Sequence, residues 1–136
     1  MRQLLSQIIR KDTIGTCQTV FHNRRATLNQ LHIHPLYRHN GYGTQLLCIT
    51  EQCLFHKYNV QSVITLIWQP QSERITYFYE KNGYTPLPNK TIQHFDDGET
   101  IYELMPYEKN LDMHSIVHLN ADCSMRNEIH FTDYVI

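Results

Sequence analysis

Apolar and polar residues alternate along the first part of the chain. The segments QLLSQIIR and TIGTCQTVFH flank Lys11 and Asp12, and together they are rich in β-branched and other apolar residues. This pattern is typical of two strands joined as a hairpin. A third segment of the same kind, ATLNQLHIH, follows three polar residues and ends before Pro35. The sequence therefore predicts three consecutive strands in an antiparallel meander.

The spacing of the apolar residues changes after Gly43. Leucine, isoleucine and cysteine then recur every three or four residues, which predicts an amphipathic helix over about 43–57. The run VQSVITLIW lacks alternation, as expected for a strand covered on both faces. A second helix is predicted over SERITYFYEKNG and a last strand over GETIYELMPY. This order predicts an α/β fold, in which helices flank a mixed, mostly antiparallel sheet with one parallel step.

The composition fits one globular domain and argues against several other classes of protein. The 136 residues are 41% hydrophobic and 18% charged, which suffices for a packed core. A net charge of −1 argues against a nucleic-acid partner, and no apolar run approaches the roughly 18 residues of a membrane span. Cys17, Cys48, Cys53 and Cys123 have neither zinc-ligand nor CxxC spacing. Since no signal peptide precedes them, we expect reduced thiols in a cytoplasmic protein.

The segment IHPLYRHNGYG, at residues 33–43, contains a basic residue and two glycines between a strand and a helix. Glycine permits a tight turn, and the start of a helix presents unpaired N–H groups and a positive dipole end. With Arg38 nearby, such a corner suits a pyrophosphate. A P-loop would need a lysine before Thr44, and a dinucleotide fingerprint would need glycine in place of Leu46. Spacing alone leaves open a structural glycine turn without a ligand.

Two segments resemble the GNAT family, the Gcn5-related N-acetyltransferases. LHIHPLYRHNGYGTQLL resembles the acetyl-CoA-binding segment of that family, with Arg38, Gly41 and Gly43 at its Arg/Gln-x-x-Gly-x-Gly/Ala pattern. Downstream, SERITYFYEKNGY resembles the family's Asn-x-x-Ala-x-x-Phe-Tyr-x-Lys-x-Gly-Phe segment. The similarity extends over roughly residues 3–107. The resemblance implies a GNAT-like fold and acetyl-CoA as cosubstrate.

The resemblance also divides the chain into a GNAT-like acetyl-CoA-binding domain, residues 1–107, and a C-terminal extension, residues 108–136. In the extension, SIVHLN and EIHFTDYVI have the composition of strands. We expect them to add to the sheet of the same domain or to a second copy of the chain, which would form a homodimer. Members of the family usually begin with a strand and two helices that wall the acceptor site, so the fold is expected to be N-terminally shortened.

The resemblance implies roles for single residues. The strand backbone at Leu31, His32 and Ile33, where the family's strand bulges, is expected to pair with pantetheine, and the Ile33 N–H to stabilise an oxyanion. Tyr79 matches the tyrosine that in many family members protonates the departing thiolate. A phenol suits this role, because its reference pKa of about 10 leaves it protonated at neutral pH. The expected cofactor contacts are Leu31, His32, Ile33, Arg38, His39, Asn40, Gly41, Tyr42, Gly43, Thr44 and Ser72.

Some of these assignments have alternatives or depart from the family pattern. Tyr79 shares a helix face with Ile75 and Phe78, so a role as a core aromatic is the alternative to catalysis. Ser72 stands where the family often has asparagine and can still donate a hydrogen bond. Ile75 stands where the family often has alanine, and it adds bulk near the cofactor.

The sequence does not identify a general base. The family's base position falls near Thr27 or Asn29, and neither side chain titrates in a useful range. An imidazole can accept a proton at neutral pH, and His32 and His34 lie close by, but strand alternation turns them away from those positions unless a bulge resets the phase. A water chain, or an amine that arrives neutral, would make a dedicated base unnecessary.

These features predict an N-acetyltransferase that transfers acetyl from acetyl-CoA to a primary amine of a protein or small molecule by direct attack. The alternative is a non-catalytic CoA-binding or protein-interaction domain, which the shortened N-terminus and the unidentified base favour. No metal is expected: His114 and His118 have the spacing of helical metal ligands, but Ile116 and Val117 between them favour a strand, and no third ligand follows.

Overall fold

The computed structural model describes residues 3–10, 15–69, 73–96, 100–115 and 130–135. The predicted first helix is confirmed and extends one residue further at each end than expected. The α-helices are α1 (Tyr42–Tyr58) and α2 (Glu73–Lys81), and 3-10 helices span Pro35–Tyr37 and Pro88–Lys90. The strands are β1 (Gln3–Arg10), β2 (Gly15–His22), β3 (Arg25–Ile33), β4 (Ser62–Gln69), β5 (Thr85–Pro86), β6 (Ile92–Asp96), β7 (Thr100–Asn110) and β8 (His130–Val135).

The first compact unit comprises Met1–Val63 and Asn110–Ile136. Its strands follow the order β8–β1–β2–β3, and each neighbouring pair is antiparallel. The meander of the first three strands therefore forms as the alternation predicts. Strand β8 comes from the segment EIHFTDYVI and pairs with β1 of its own chain, whereas SIVHLN lies outside the described residues except for Ser115.

Helix α1 packs on one face of β2 and β3. Every second residue of β2 is buried from Gly15 to Phe21, because successive side chains of a strand point to opposite faces. Thr50 is a buried polar residue of the helix, and its hydroxyl donates to the Leu46 carbonyl oxygen at 2.8 Å, which satisfies it inside the core. The buried apolar side chains of this layer include Cys17, Phe21, Ala26, Leu28, Leu46, Leu47 and Leu54.

The first residues of β3 and β4 are connected through the backbone. The carbonyl oxygen of Arg24, just before β3, accepts hydrogen bonds from the backbone N–H groups of Gln61 at 2.7 Å and Ser62 at 3.2 Å. These three residues all belong to the first unit, so the starts of the two strands lie side by side within it. The Gln61 carbonyl oxygen in turn accepts from the Leu111 N–H at 2.7 Å.

The second compact unit comprises Ile64–Lys109. Its longest strand, β7, pairs with β4 on one side. On its other side β7 pairs antiparallel with β5 and then with β6, and the sequence pattern predicted neither of these short strands. The predicted mixed, mostly antiparallel α/β fold is confirmed.

Cys48 departs from the expectation that all four cysteines are reduced thiols, because it is disulfide-bonded, while Cys17 and Cys53 form no disulfide. Among the residues described, no helix has the length and apolar character needed to cross a bilayer. The same residues contain no group of three or more His, Cys, Asp or Glu side chains placed to hold a metal ion.

Candidate functional site

The end of β3 leads through one 3-10 turn into the glycine corner, which we define as residues 38–44. His34 caps this turn, since its Nδ1 accepts a hydrogen bond from the Leu36 N–H at 3.2 Å. The ring of Tyr37 then lies 5.9 Å from that of His34 and 6.3 Å from that of Tyr42, measured between centroids. These contacts connect the end of the strand to the start of α1.

Two side chains hold the backbone of the glycine corner. Arg38 Nε donates to the carbonyl oxygen of Ile33 at 2.8 Å, and Asn40 Nδ2 donates to the carbonyl oxygen of Arg38 at 3.1 Å. The Nε bond uses one of the five N–H donors of the guanidinium. Arg38 is exposed and makes no other side-chain hydrogen bond with the described residues, so four charged donors remain for an anion.

The corner reverses through two left-handed residues. His39 has a φ of 66° and Gly41 a φ of 82°. A Cβ placed on Gly41 would meet no heavy atom within 4 Å. Glycine is therefore favoured here by the backbone conformation and not by crowding, and the space beside it is open.

The backbone N–H groups at the start of α1 are not used by the fold. The first hydrogen bond of the helix runs from the Gln45 N–H to the Gly41 carbonyl oxygen at 3.1 Å, and Gly41 provides no side-chain cap. Within the described part of the chain, the amides of Tyr42, Gly43 and Thr44 thus donate to no protein group. They carry the partial positive charge of the helix terminus, so the end of the helix can bind an anion.

The sequence around this terminus contains basic residues and no acidic residue. Residues 13–50 contain Arg24, Arg25 and Arg38 and no Asp or Glu.

One further polar atom is notable, because Gln45 Oε1 is buried without a hydrogen-bond partner in the described structure. Sequence reasoning stopped at Thr44 and missed this acceptor, and a glutamine one residue beyond the motif gives no sequence signal of its own.

Strand β3 contains a bulge at Asn29. Opposite β2 the pairing steps from Leu28 with Thr19 to Gln30 with Gln18, so Asn29 is the extra residue. The family resemblance implied a bulge around residues 31–33, whereas against β2 the bulge lies at Asn29. The bulge resets the alternation, so His32 and Thr27 are exposed on the same face of the strand. His32 therefore lies on the same face of β3 as Thr27, near which the resemblance places the family's general base.

The second motif forms α2 in the second unit. Tyr79 is buried, with 9% of its surface exposed, and its ring lies 5.1 Å from that of Phe78 and 5.5 Å from that of Tyr84. Ile75 is 40% exposed. The chain leaves the helix through Gly83, whose φ is 95°, as the Asn-Gly stop predicts. Ser72, the remaining predicted cofactor contact, lies outside the described residues.

The structure thus brings most of the predicted contacts together. Leu31, His32 and Ile33 end the strand, and the glycine corner follows within one turn. Tyr79 is positioned separately by the aromatic packing of the second unit.

Comparison with known proteins agrees with this geometry. Residues 5–86, more than half of the chain, match the family model described as an acetyltransferase (GNAT) domain. No curated protein matches the sequence.

Several solved structures have a similar fold. The ribosomal-protein-S18-alanine N-acetyltransferase from Escherichia coli is 17% identical, with a TM-score of 0.67 over 81% of this chain and 70% of that one. A GNAT family acetyltransferase from Elizabethkingia anophelis with acetyl-CoA bound is 14% identical, with a TM-score of 0.61 over 76% of this chain and 74% of that one. The PaiA N-acetyltransferase from Thermoplasma acidophilum, in complex with coenzyme A, is 22% identical, with a TM-score of 0.60 over 80% of this chain and 62% of that one.

Proposed function

Because this chain belongs to the GNAT family of acetyltransferases, we propose that it transfers acetyl from acetyl-CoA to a primary amine of a protein or small molecule. The amine nitrogen attacks the thioester carbonyl carbon directly, the C–S bond breaks, and an amide and CoA are released. The amine loses one proton and the sulfur gains one, so no further reactant is needed. The observation that supports this proposal most is the glycine corner, where three unused helix N–H groups lie beside Arg38 without a nearby carboxylate in the sequence.

The residues of the corner fit a pyrophosphate. The amides of Tyr42, Gly43 and Thr44 would donate to its oxygens, and Arg38 would add charged donors from the side. The predicted contacts His39, Asn40 and Gly41 belong to the same proposal. Open space at Gly41 leaves room for the ligand. Buried Gln45 Oε1 is suited to accept a hydrogen bond from an N–H or hydroxyl of the bound molecule, which would satisfy it.

The end of β3 would orient the thioester arm. Backbone groups of Leu31, His32 and Ile33 would pair with the amides of pantetheine, as an added strand pairs with a sheet edge. We retain the Ile33 N–H as the donor to the developing oxyanion. The carbonyl of the same residue accepts from Arg38, so one residue would connect the orientation of the arm to that of the pyrophosphate.

Tyr79 would protonate the departing sulfur. A phenol is protonated at neutral pH and can donate as negative charge develops on the thiolate. The packing against Phe78 and Tyr84 supports this role because it fixes the ring, and hence restricts where the hydroxyl lies. The proton lost by the amine would pass to water or to His32, which the bulge turns to the face of Thr27.

One observation favours the alternative of a non-catalytic CoA-binding or interaction domain. The positions where the family has its base, Thr27 and Asn29, carry no group that titrates near neutral pH. A binding domain needs no base.

The test measures thiol release from acetyl-CoA in the presence of a panel of primary amines. We expect release that depends on the amine, and Tyr79→Phe should lower its rate about a hundredfold, the range of general acid catalysis. Tyr77→Phe is the matched control, because Tyr77 is on the same helix and 67% exposed, and it should retain the wild-type rate.

A thermal shift separates the two functions. A cosubstrate that binds the native state raises the melting temperature. Stabilisation by acetyl-CoA without thiol release for any amine would favour the binding domain. If acetyl-CoA caused no stabilisation and no thiol was released, both functions would be contradicted. A cytoplasmic location and a homodimer formed through the C-terminal extension remain predictions from the sequence.

A further inference from the structure

The turn between β2 and β3 carries two unpaired arginines. Asn23 and Arg24 form this two-residue turn, and Arg25 begins β3 opposite His22. Both arginine side chains are exposed, and neither makes an ion pair or side-chain hydrogen bond with the residues that the structure describes. The fold uses the backbone of Arg24, through its carbonyl oxygen, and leaves the guanidinium groups available.

Two cavities of the first unit meet at these arginines. One has a volume of about 670 Å³ and is also lined by Phe55, Gln61 and Asp112. The other has a volume of about 640 Å³ and is lined by His22, Asn23, Arg24, Arg25, Tyr58 and Asn59. Both volumes lie in the range of small-molecule sites, which is about 300–1,000 Å³.

The charge of the lining distinguishes the two cavities. The first contains Asp112, whose Oδ1 accepts from the Ser115 N–H at 2.7 Å, and this bond lowers the pKa of the carboxyl, which stays ionised. Among the described residues that line the second cavity, none is acidic. An anion is therefore favoured in the second cavity.

The other groups of the second cavity are polar and fixed in place. The Tyr58 ring lies 4.9 Å from that of Phe21, so the ring that faces this cavity is held by the core. Asn23 and Asn59 have left-handed φ values of 57° and 55°, which place two amide side chains at adjoining turns. A ligand would thus meet two guanidinium groups, one imidazole, one phenol and two amides.

We propose that this cavity binds a small molecule that carries a phosphate monoester. A phosphate monoester has a charge of about −1.5 to −2 at neutral pH, which matches two arginines better than a single carboxylate does. Guanidinium groups also bind phosphate oxygens in a bidentate manner. The hydroxyl and amide groups of the lining would hydrogen-bond the rest of the molecule.

This site is distinct from the glycine corner. Helix α1 begins at the corner and ends at Tyr58, in the lining of the cavity, and its 17 residues span about 25 Å. The pyrophosphate proposed for the corner would therefore not reach the arginines.

The test is calorimetric titration with ribose 5-phosphate, with ribose and gluconate as neutral and carboxylate probes. We expect saturable one-to-one binding of ribose 5-phosphate, binding of gluconate at least about tenfold weaker, and none of ribose. The double variant Arg24→Gln/Arg25→Gln should weaken ribose 5-phosphate at least about tenfold. Its urea midpoint should stay near that of the wild type, because the Arg24 carbonyl bonds remain.

Two single variants complete the test. Arg74→Gln, which removes an exposed arginine of α2, and Arg38→Gln, in the glycine corner, should both leave ribose 5-phosphate binding unchanged. Three results would overturn the proposal: the wild type shows no saturable binding of ribose 5-phosphate, gluconate binds as tightly as ribose 5-phosphate, or Arg74→Gln weakens ribose 5-phosphate binding as much as the double variant does. Weaker ribose 5-phosphate binding in Arg38→Gln would also overturn the proposal, because it would assign the ligand to the glycine corner. None of these results bears on acetyl transfer.

Discussion

The Cys17 thiol shows how burial controls the chemistry of a single residue. Cys17 is 0% exposed, and burial raises the pKa of its thiol from an ordinary value of 9.0 to about 12, against a smaller opposing effect of its hydrogen bond to Thr50. The buried thiolate is disfavoured, so this cysteine is a structural group and a poor nucleophile.

This shift predicts how stability depends on pH. Between about pH 9 and 12 the unfolded chain loses the thiol proton and the folded chain keeps it, so the free energy of unfolding falls as pH rises. From pH 8 to pH 10 we expect a loss of about 1.4 kcal/mol from this residue, measured by urea denaturation. Cys17→Ala should lack this part of the decline, and an equal decline in the variant would contradict the prediction.

Gly41 is constrained by its backbone alone. At a φ of 82° an L side chain is strained, although nothing crowds the position. Gly41→Ala should lower the free energy of unfolding by about 1–2 kcal/mol, measured by urea denaturation. Gly41→Asn should lose less, because asparagine tolerates the left-handed region. If alanine and asparagine had no effect, the corner would adopt another conformation in solution.

At the scale of elements, α1 is the helix on which the first unit depends. Leu47 is 0% exposed on its buried face, and Leu36, in the 3-10 turn that precedes it, is 81% exposed. Leu47→Ala should cost about 2–5 kcal/mol in urea denaturation, because it removes buried contacts and leaves a cavity. Leu36→Ala, the matched control, should change stability by less than about 0.5 kcal/mol. Similar effects at both positions would mean that α1 does not pack as described.

The elements also show what the sequence can predict. Helix α1 was predicted closely because its buried residues recur at helical spacing. Strand β6, Ile92–Asp96, was missed because five residues before a polar turn have little periodicity, and the strand exists through its pairing with β7. The bulge at Asn29 was misplaced for a related reason, since the register between two strands determines it.

The residues of the candidate site likewise divide into those that the sequence predicts and those that only packing reveals. Arg38, Gly41 and Gly43 were recognisable because backbone conformation and charge demand particular residue types there. Gln45 was not, because only its burial without a partner makes it notable. Likewise, Arg24 and Arg25 appeared in the sequence only as two of three polar residues between strands, and the second cavity beside them depends on packing with Tyr58 and Asn59.

At the scale of the whole molecule, charge is distributed unevenly. Residues 1–72 hold seven Lys or Arg and two Asp or Glu, whereas residues 73–136 hold five and eleven. Both anion sites proposed above lie in the basic part. Binding at either should weaken as salt is added, because exposed charges are screened over about 8–10 Å at physiological ionic strength.

The pairing of β8 with β1 is also a feature of the whole chain, since it joins the two ends of the sequence. Removing residues 130–136 would move the edge of the sheet from β8 to β1, whose sequence QLLSQIIR is more aliphatic than HFTDYV, and an apolar edge strand is a template for association. We expect the shortened chain to form larger species in size-exclusion chromatography with light scattering. Removal of Ile136 alone, which keeps His130–Val135, is the control. A monodisperse shortened chain with the mass of the control would contradict the prediction.

The junction at the Arg24 carbonyl has a consequence for how this sequence can vary over evolutionary time. One carbonyl oxygen and two backbone N–H groups connect the starts of β3 and β4, and these two hydrogen bonds involve no side-chain atom. Substitutions at residues 24, 61 and 62 can therefore accumulate without separating the strands, except for proline at 61 or 62, which would remove a donor. Homologues could thus exchange the charges at this end of the molecule while the same scaffold persists.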